Sequence, residues 1–157
     1  MNMNEVVEIY FEKLNEEEKH FIHEVPILAA ILVAGADDNI DKMERKVAEK
    51  ITYIKSYTTE ELKEFYKEVS AGFHDKFESI LSRYPKTASE RNPLIREDLK
   101  RVEEILPKML RTRADEFVNS VKEIARYVAE ASGGIVGYYS IRATEKNALY
   151  NLNLIVK

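Results

Sequence analysis

Residues 25–44 read V-P-I-L-A-A-I-L-V-A-G-A-D-D-N-I-D-K-M-E, and this stretch decides the fold. Its part at residues 27–36 is apolar around the whole helical circumference, which predicts a central helix enclosed by other helices. Pro26 suits the first turn of a helix better than its interior, so we expect this helix to begin there. An acidic turn follows, and Asp41 with Glu44 three residues later has the spacing of a capping box that opens the next helix.

Around this stretch, the chain has the composition of one helical domain. It has 157 residues, of which 45% are hydrophobic and 33% charged, with five Gly and four Pro. A chain of this length buries about 70% of its unfolded surface in one core. The scarcity of Gly and Pro favours long helices over a turn-rich sheet protein. Apolar residues recur at helical spacing, and no stretch keeps the alternation of a strand for long. The sequence therefore predicts an all-α fold.

A second turn of similar order lies in the other half of the chain. Residues 129–145 read A-E-A-S-G-G-I-V-G-Y-Y-S-I-R-A-T-E, so both turns follow an Ala-rich helix, contain an Ile and precede a Glu. The repeat predicts a single compact multi-helix domain, residues 1–157, with two pseudo-symmetric helix-loop-helix halves. The predicted units are an N-terminal extension helix in residues 1–15, a first half in residues 16–84 and a second half in residues 94–157.

Other local signals predict where the helices run and break. Residues 85–93 are the predicted linker between the halves, and Asn92 followed by Pro93 has the order that opens a helix. Ala71 and Gly72 predict a kink in a long helix before that linker. In the helix after the acidic turn, four apolar residues recur at helical spacing. They are Met43, Val47, Ile51 and Ile54.

Both turns resemble those of one known family. A-G-A-D-D-N-I-D-K-M-E at residues 34–44 is similar to the A-D-G-x-I-x-x-x-E turn of TerB-like proteins, the tellurite-resistance B family. A-S-G-G-I-V-G at residues 131–137 resembles a later stretch of many members, and the resemblance covers residues 20–157. It implies a helical domain of two related halves, a link to tellurite or other stress resistance, divalent-metal binding by loop carboxylates, and no enzymatic activity. The chain departs from the pattern at Asn39, where the first loop often has Gly, and in residues 131–144, which contain no carboxylate.

The acidic turn is the candidate cation site. The predicted metal ligands are Asp37, Asp38, Asp41 and Glu44. Hard cations such as calcium take about six to eight oxygens, and closely spaced carboxylates supply several of them. The D-x-N-x-D spacing of residues 37–41 matches the start of an EF-hand loop, but Lys42 and Ala48 stand where that motif needs Gly and Glu. The same acidic residues also suit a turn and a helix cap without metal. The leading prediction is a TerB-like stress-response or binding module with one calcium-like divalent cation at residues 37–44.

Two other functions stay open. One is a metal-free protein-protein interaction domain, with a partner at a groove between the halves or at the basic segment of residues 83–113. The other is a metal-dependent enzyme that uses His20 and His23, which lie with Glu17 and Glu24 at helical spacing and could hold zinc or iron. The Glu-x-x-His pair has no second copy, so a polar surface face is the simpler interpretation. No catalytic motif is present in the sequence.

The charge distribution and the hydropathy of the chain limit the classes of partner that we expect. Residues 1–82 carry 18 acidic and 10 basic side chains, whereas residues 83–113 carry 5 acidic and 9 basic ones. A nucleic-acid module shows a stronger basic excess with a motif beside it, so we expect a solvated face and no nucleic-acid partner. The longest apolar run, residues 25–36, is shorter than the ~20 residues that span a membrane. With no Cys and no secretory signal, the expectation is a cytoplasmic protein without membrane insertion, whose partner is another protein.

Overall fold

The protein is helical in the parts that the computed structural model describes, residues 11–35, 38–58 and 61–132. No strand occurs within these ranges, so the all-α prediction is confirmed. The helices are α1 (Glu16–Ala34), α2 (Lys42–Thr58), α3 (Lys63–Ser70), α4 (Phe73–Leu81), α5 (Ala88–Leu99), α6 (Val102–Ile105), a 3-10 turn (Leu106–Lys108) and α7 (Arg111–Ser132).

The central helix is α1, as the apolar run predicts. Every residue from Val25 to Ala34 is buried, and α2, α3, α4, α5 and α7 all contact this helix. Its start is fixed by a capping box: Asn15 Oδ1 accepts from the Glu18 backbone N–H at 2.8 Å, and Glu18 Oε1 accepts from the Asn15 N–H at 3.0 Å. The capping box thus satisfies two backbone donors at the exposed end of an otherwise apolar helix.

Pro26 lies inside α1, so the predicted helix start at this residue is wrong. A proline in a helix interior removes one hydrogen bond of the helix and costs about 3 kcal/mol or more. The residues on either side of Pro26 are buried, and each large side chain contributes about 1.5–3 kcal/mol when it leaves water. Burial of the apolar run therefore outweighs the local preference of proline.

The Gly72 kink is a complete break between α3 and α4. Gly72 has φ 63° and ψ 32°, in the left-handed region where a residue without a Cβ meets no steric penalty. The predicted start of a helix at Asn92-Pro93 is wrong, because α5 begins at Ala88 and contains Pro93. Asp38 Oδ1 accepts from the Ala88 backbone N–H at 2.8 Å, so a side chain fifty residues earlier in the chain caps this helix. The predicted linker is therefore helical from Ala88 onward.

The apolar stripe of α2 is only half-buried. The buried residues of α2 are Glu44, Ala48, Thr52, Lys55 and Ser56, whereas Met43 is 57% exposed. The Thr52 and Ser56 hydroxyls donate to backbone oxygens of α2 itself, whereas Lys55 has partners on other helices. Lys55 Nζ donates to Glu123 Oε2 of α7 at 2.6 Å and lies 6.0 Å from the ring centroid of Tyr66 of α3. The contacts of α2 with α3 and α7 thus fix the rotation of α2 about its own axis.

The two pseudo-symmetric halves stay a prediction. Residues 133–157, which hold most of the second turn and the segment after it, lie outside the described residues, and so do residues 1–10 of the extension helix predicted in residues 1–15. Among the helices that are described, none combines the length and the apolar character needed to cross a bilayer.

Candidate functional site

The acidic turn places its carboxylates in separate structural roles. Asp37 lies outside the described residues. Asp38 caps α5 through the Ala88 N–H, and Asp41 Oδ1 accepts from the Met43 backbone N–H at 2.8 Å at the start of α2. Glu44 is buried within α2. The described part of the chain contains no group of three His, Asp or Glu side chains arranged to hold a metal ion. The cation site at residues 37–44 stays a prediction.

A surface pocket of about 710 Å³ lies between the first part of α1, the end of α3 and α4. We call it the α1–α4 pocket. Phe11, Ile27 and Ile80 line it and are buried, so they form an apolar floor. The walls carry charged side chains from all three helices. Its volume falls in the range of about 300–1,000 Å³ that small-molecule sites occupy.

One wall of the pocket carries Arg83 and Glu24, which form an ion pair with each other. Arg83 donates from both terminal nitrogens to Glu24, with Nη1–Oε1 at 2.9 Å and Nη2–Oε2 at 2.7 Å. The Glu24 side chain is only 14% exposed, and His20 Nε2 lies 3.5 Å from its Oε2. The hydrogen bonds to Glu24 raise the pKa of Arg83. This two-pronged geometry is the strong form of an Arg–carboxylate pair, so both charges are compensated before a ligand arrives.

His23 is held on both sides of its ring. Its Nδ1 lies 2.7 Å from the Lys19 backbone oxygen, and because a carbonyl only accepts, Nδ1 carries the hydrogen. Nε2 lies 2.6 Å from Glu68 Oε2. The ring also contacts Phe65 and Phe11, with centroid distances of 4.7 and 5.8 Å. The Lys19 backbone oxygen, the Glu68 carboxylate and the two Phe rings thus fix the orientation of the His23 ring in the pocket.

The α4 wall carries polar side chains with hydrogen-bonding capacity left for a ligand. Lys76 Nζ donates to the backbone oxygen of Glu68, and an ammonium has two further donors to offer. Burial lowers the pKa of Lys76, since its charge has lost part of its hydration. No described residue forms a hydrogen bond or ion pair with the side chains of Asp75 or Ser79, which also line the pocket. This wall therefore offers one acid, one ammonium and one hydroxyl.

The sequence indicates only the α1 side of this pocket. His20, His23 and Glu24 are recognisable as one helix face from their spacing. The α4 residues have a similar signal, because Asp75, Ser79 and Arg83 follow each other four residues apart. The pairing of Arg83 with Glu24 spans 59 residues, and nothing local in the sequence indicates it.

The chain matches no protein-family model, no curated protein and no solved structure.

Proposed function

We propose that the protein is a non-catalytic binding domain whose α1–α4 pocket takes a small zwitterion with an apolar side chain. One observation carries this proposal: an apolar floor lies beside two charges of opposite sign, Asp75 and Lys76, that form no ion pair with a described residue. A ligand with one carboxylate, one ammonium and an apolar body matches these three features.

The other charges of the pocket support this choice by cancelling each other. Glu24 is compensated by Arg83, and Glu16 Oε1 lies 3.5 Å from Lys19 Nζ. A ligand of one sign only would leave either Asp75 or Lys76 facing it without compensation. The mixed wall therefore favours a zwitterion over a simple acid or amine.

Each part of the ligand has a stated partner in the proposal. The ligand carboxylate accepts from the free N–H groups of Lys76, whose charge has lost part of its hydration through burial. The ligand ammonium donates to Asp75 and to the hydroxyl of Ser79. The apolar body packs on the floor of the pocket, which Phe11, Ile27 and Ile80 line.

Absence of an activated nucleophile supports a binding role over catalysis. Ser79 is the hydroxyl on the described pocket wall, and it forms no hydrogen bond with a described histidine. A serine nucleophile needs such a base within hydrogen-bond reach. The nitrogens of His23 face the Lys19 backbone oxygen and the Glu68 carboxylate instead.

Calorimetric titration with three matched compounds tests the proposal. L-phenylalanine carries both charges, 3-phenylpropionate lacks the ammonium and 2-phenylethylamine lacks the carboxylate. We expect L-phenylalanine to bind at least about tenfold more tightly than either analogue, because each lost charged hydrogen bond is worth about 1.5–3 kcal/mol. Equal binding of all three, or no binding of L-phenylalanine, would show that the proposal is wrong.

Variants locate the binding to the pocket. Lys76→Met should weaken the binding of L-phenylalanine by about tenfold or more and leave the binding of 2-phenylethylamine unchanged. Asp75→Asn should weaken the binding of L-phenylalanine to a similar extent and leave the binding of 3-phenylpropionate unchanged. Lys67→Met is the matched control, because Lys67 is an exposed lysine of α3 that pairs with Glu64 and does not line the pocket. Loss of affinity in Lys67→Met equal to that in Lys76→Met would place the site elsewhere.

A further inference from the structure

The outward side of α2 combines apolar and basic side chains. Met43, Tyr53 and Tyr57 are 57%, 60% and 55% exposed, although they are large and hydrophobic. We define the α2 outer face by the residues Met43, Lys46, Val47, Lys50, Tyr53, Ile54 and Tyr57. With about 3.6 residues per turn, they fall within about a third of the helix circumference. Large apolar side chains concentrated in this way indicate an interaction surface.

The charges on this face are all positive. Lys46 and Lys50 are exposed one turn apart, and no ion pair joins either of them to a described residue. The acidic residues of α2 lie elsewhere, because Glu44 is buried and Glu49 falls outside the arc of the outer face. The Tyr53 and Tyr57 rings pack edge to face with their centroids 5.3 Å apart, which gives the face a firm aromatic ridge.

We infer that the α2 outer face docks an acidic amphipathic helix of a partner protein. The partner's apolar stripe would lie on Met43, Ile54 and the tyrosine ridge, in the manner of a helix laid on a groove. Its carboxylates would pair with Lys46 and Lys50. Charge complementarity selects this occupant, since the face offers cations that the described part of the chain leaves without counter-charges.

Three other occupants fit the same face less well. A second copy placed symmetrically would set the lysines of one α2 against those of the other. Residues 133–157 carry three basic residues and one acidic residue, so their charge is not complementary either. An anionic membrane would satisfy the lysines, but Val47 and Ile54 are half-buried against the protein, whereas interfacial helices insert their apolar face by about 5–10 Å.

Binding of a synthetic peptide to the full chain tests the inference. The probe is a labelled amphipathic helix of about 18 residues, roughly five turns, with a Leu stripe flanked by Glu, and its counterpart has Lys in place of each Glu. Fluorescence anisotropy should show binding of the Glu peptide at least about tenfold tighter than that of the Lys peptide, and the affinity should fall with added salt. Equal affinity of the two peptides would overturn the inference.

Charge reversal on α2 identifies the face. Lys46→Glu with Lys50→Glu should weaken the Glu peptide by about tenfold or more, since two attractions become repulsions. Lys63→Glu with Lys67→Glu is the matched control, because these lysines have the same spacing and are exposed on α3. An unchanged affinity in the α2 variant, or an equal loss in the α3 variant, would show that the peptide does not dock on this face.

A thiol probe decides whether the face is open in the free protein. The chain has no Cys, so Tyr57→Cys introduces a single thiol on the outer face. Rapid maleimide labelling that the Glu peptide slows would support the inference. Slow labelling at every protein concentration would mean that the chain's own segments cover the face, and slowing only at high concentration would mean a second copy. Binding to phosphatidylserine vesicles that the Glu peptide does not displace would identify a membrane site, and each of these three results would overturn the inference.

Discussion

A single buried arginine joins the end of α1 to the start of α5. Arg91 is 2% exposed, and it donates to the backbone oxygens of Gly35 at 2.7 Å and Lys86 at 3.0 Å. Asn92 Nδ2 also donates to Gly35 O, at 2.9 Å. Burial lowers the pKa of Arg91, while the nearby charge of Asp38 acts in the opposite direction. The oxygen of Gly35 lies at the negative end of the α1 dipole, so a cationic donor there is favourable.

The close approach of Arg91 predicts that Gly35→Ala destabilises the protein. Gly35 has φ −91°, which any residue adopts, so only space is at issue. A Cβ there would lie 2.5 Å from Arg91 Nη2 and 2.7 Å from the Ile31 backbone oxygen. We expect a loss of about 1–3 kcal/mol in the free energy of unfolding, measured by urea denaturation. Gly72→Asn is the control, because nothing lies near a Cβ at Gly72 and Asn tolerates its left-handed backbone. Full stability of Gly35→Ala would contradict the steric explanation.

Replacing two carboxylates of the acidic turn tests the cation hypothesis. If residues 37–44 bind a cation, saturating metal should stabilise the wild type by about 2.7 kcal/mol at a hundredfold excess over Kd. Asp37→Asn with Asp41→Asn should abolish that gain and keep the fold, since Asn still caps a helix. Thermal melting with calcium, magnesium, manganese or zinc provides the measurement. A wild-type Tm that none of these ions moves would exclude the site.

At the level of helices, the sequence predicts the features that depend on a local pattern of residues. The all-round apolar run predicts α1 as the central helix, and the Gly72 break follows from the backbone freedom of glycine. The start of α5 and the buried face of α2 depend instead on contacts between distant residues, such as Asp38 with Ala88 and Lys55 with Glu123. The α1–α4 pocket is similarly divided, because its α1 wall is visible in the sequence and its α4 wall is brought there by packing. Tertiary contacts of this kind override local preference.

The difference between α1 and α2 gives a prediction about their core contributions. Ile31 is fully buried in α1, whereas Ile54 is half-buried on the α2 outer face. Ile31→Ala should cost about 2–5 kcal/mol, the range for emptying a closed core site. Ile54→Ala should cost clearly less, because water already reaches that side chain and no closed cavity forms. Urea denaturation of both variants measures the difference, and equal losses would mean that the α2 outer face is covered in the free protein.

At the scale of the whole molecule, acidic and basic segments that are separate in the sequence pair with each other in the fold. The acidic first part of the chain and the basic segment of residues 83–113 are joined by four ion pairs between side chains distant in sequence. They are Glu24–Arg83, Glu17–Arg101, Glu18–Lys108 and Glu61–Arg113. Much of the basic segment thus meets its counter-charges within the protein. This pairing gives a physical reason for the predicted absence of a nucleic-acid partner, which stays a prediction.

The pairing of Glu18 with Lys108 can be measured as a dependence of folding stability on pH. The hydrogen bond from Lys108, with Nζ–Oε2 at 2.7 Å, and then the bond to the Asn15 backbone lower the pKa of Glu18 below its ordinary value of 4.5. In the acidic range below that value, the unfolded chain binds more protons at this carboxyl than the folded chain does, so folding stability rises with pH. The contribution is therefore fully present above the unfolded pKa and is lost as the pH falls through the folded one.

Lys108→Met should remove most of this dependence. We expect the wild type to be more stable than the variant at pH 7 and the two to converge at acidic pH, where Glu18 is protonated in both. Urea denaturation from pH 7 down to the lowest pH at which both proteins fold gives the comparison. Lys100→Met is the matched control, since Lys100 pairs only with Glu97 on its own helix turn among the described residues and is widely exposed. If the stability difference between wild type and Lys108→Met were the same at acidic and neutral pH, the lysine would act through packing of its aliphatic stem, and ion pairing with Glu18 would not be what joins α1 to the segment around Lys108.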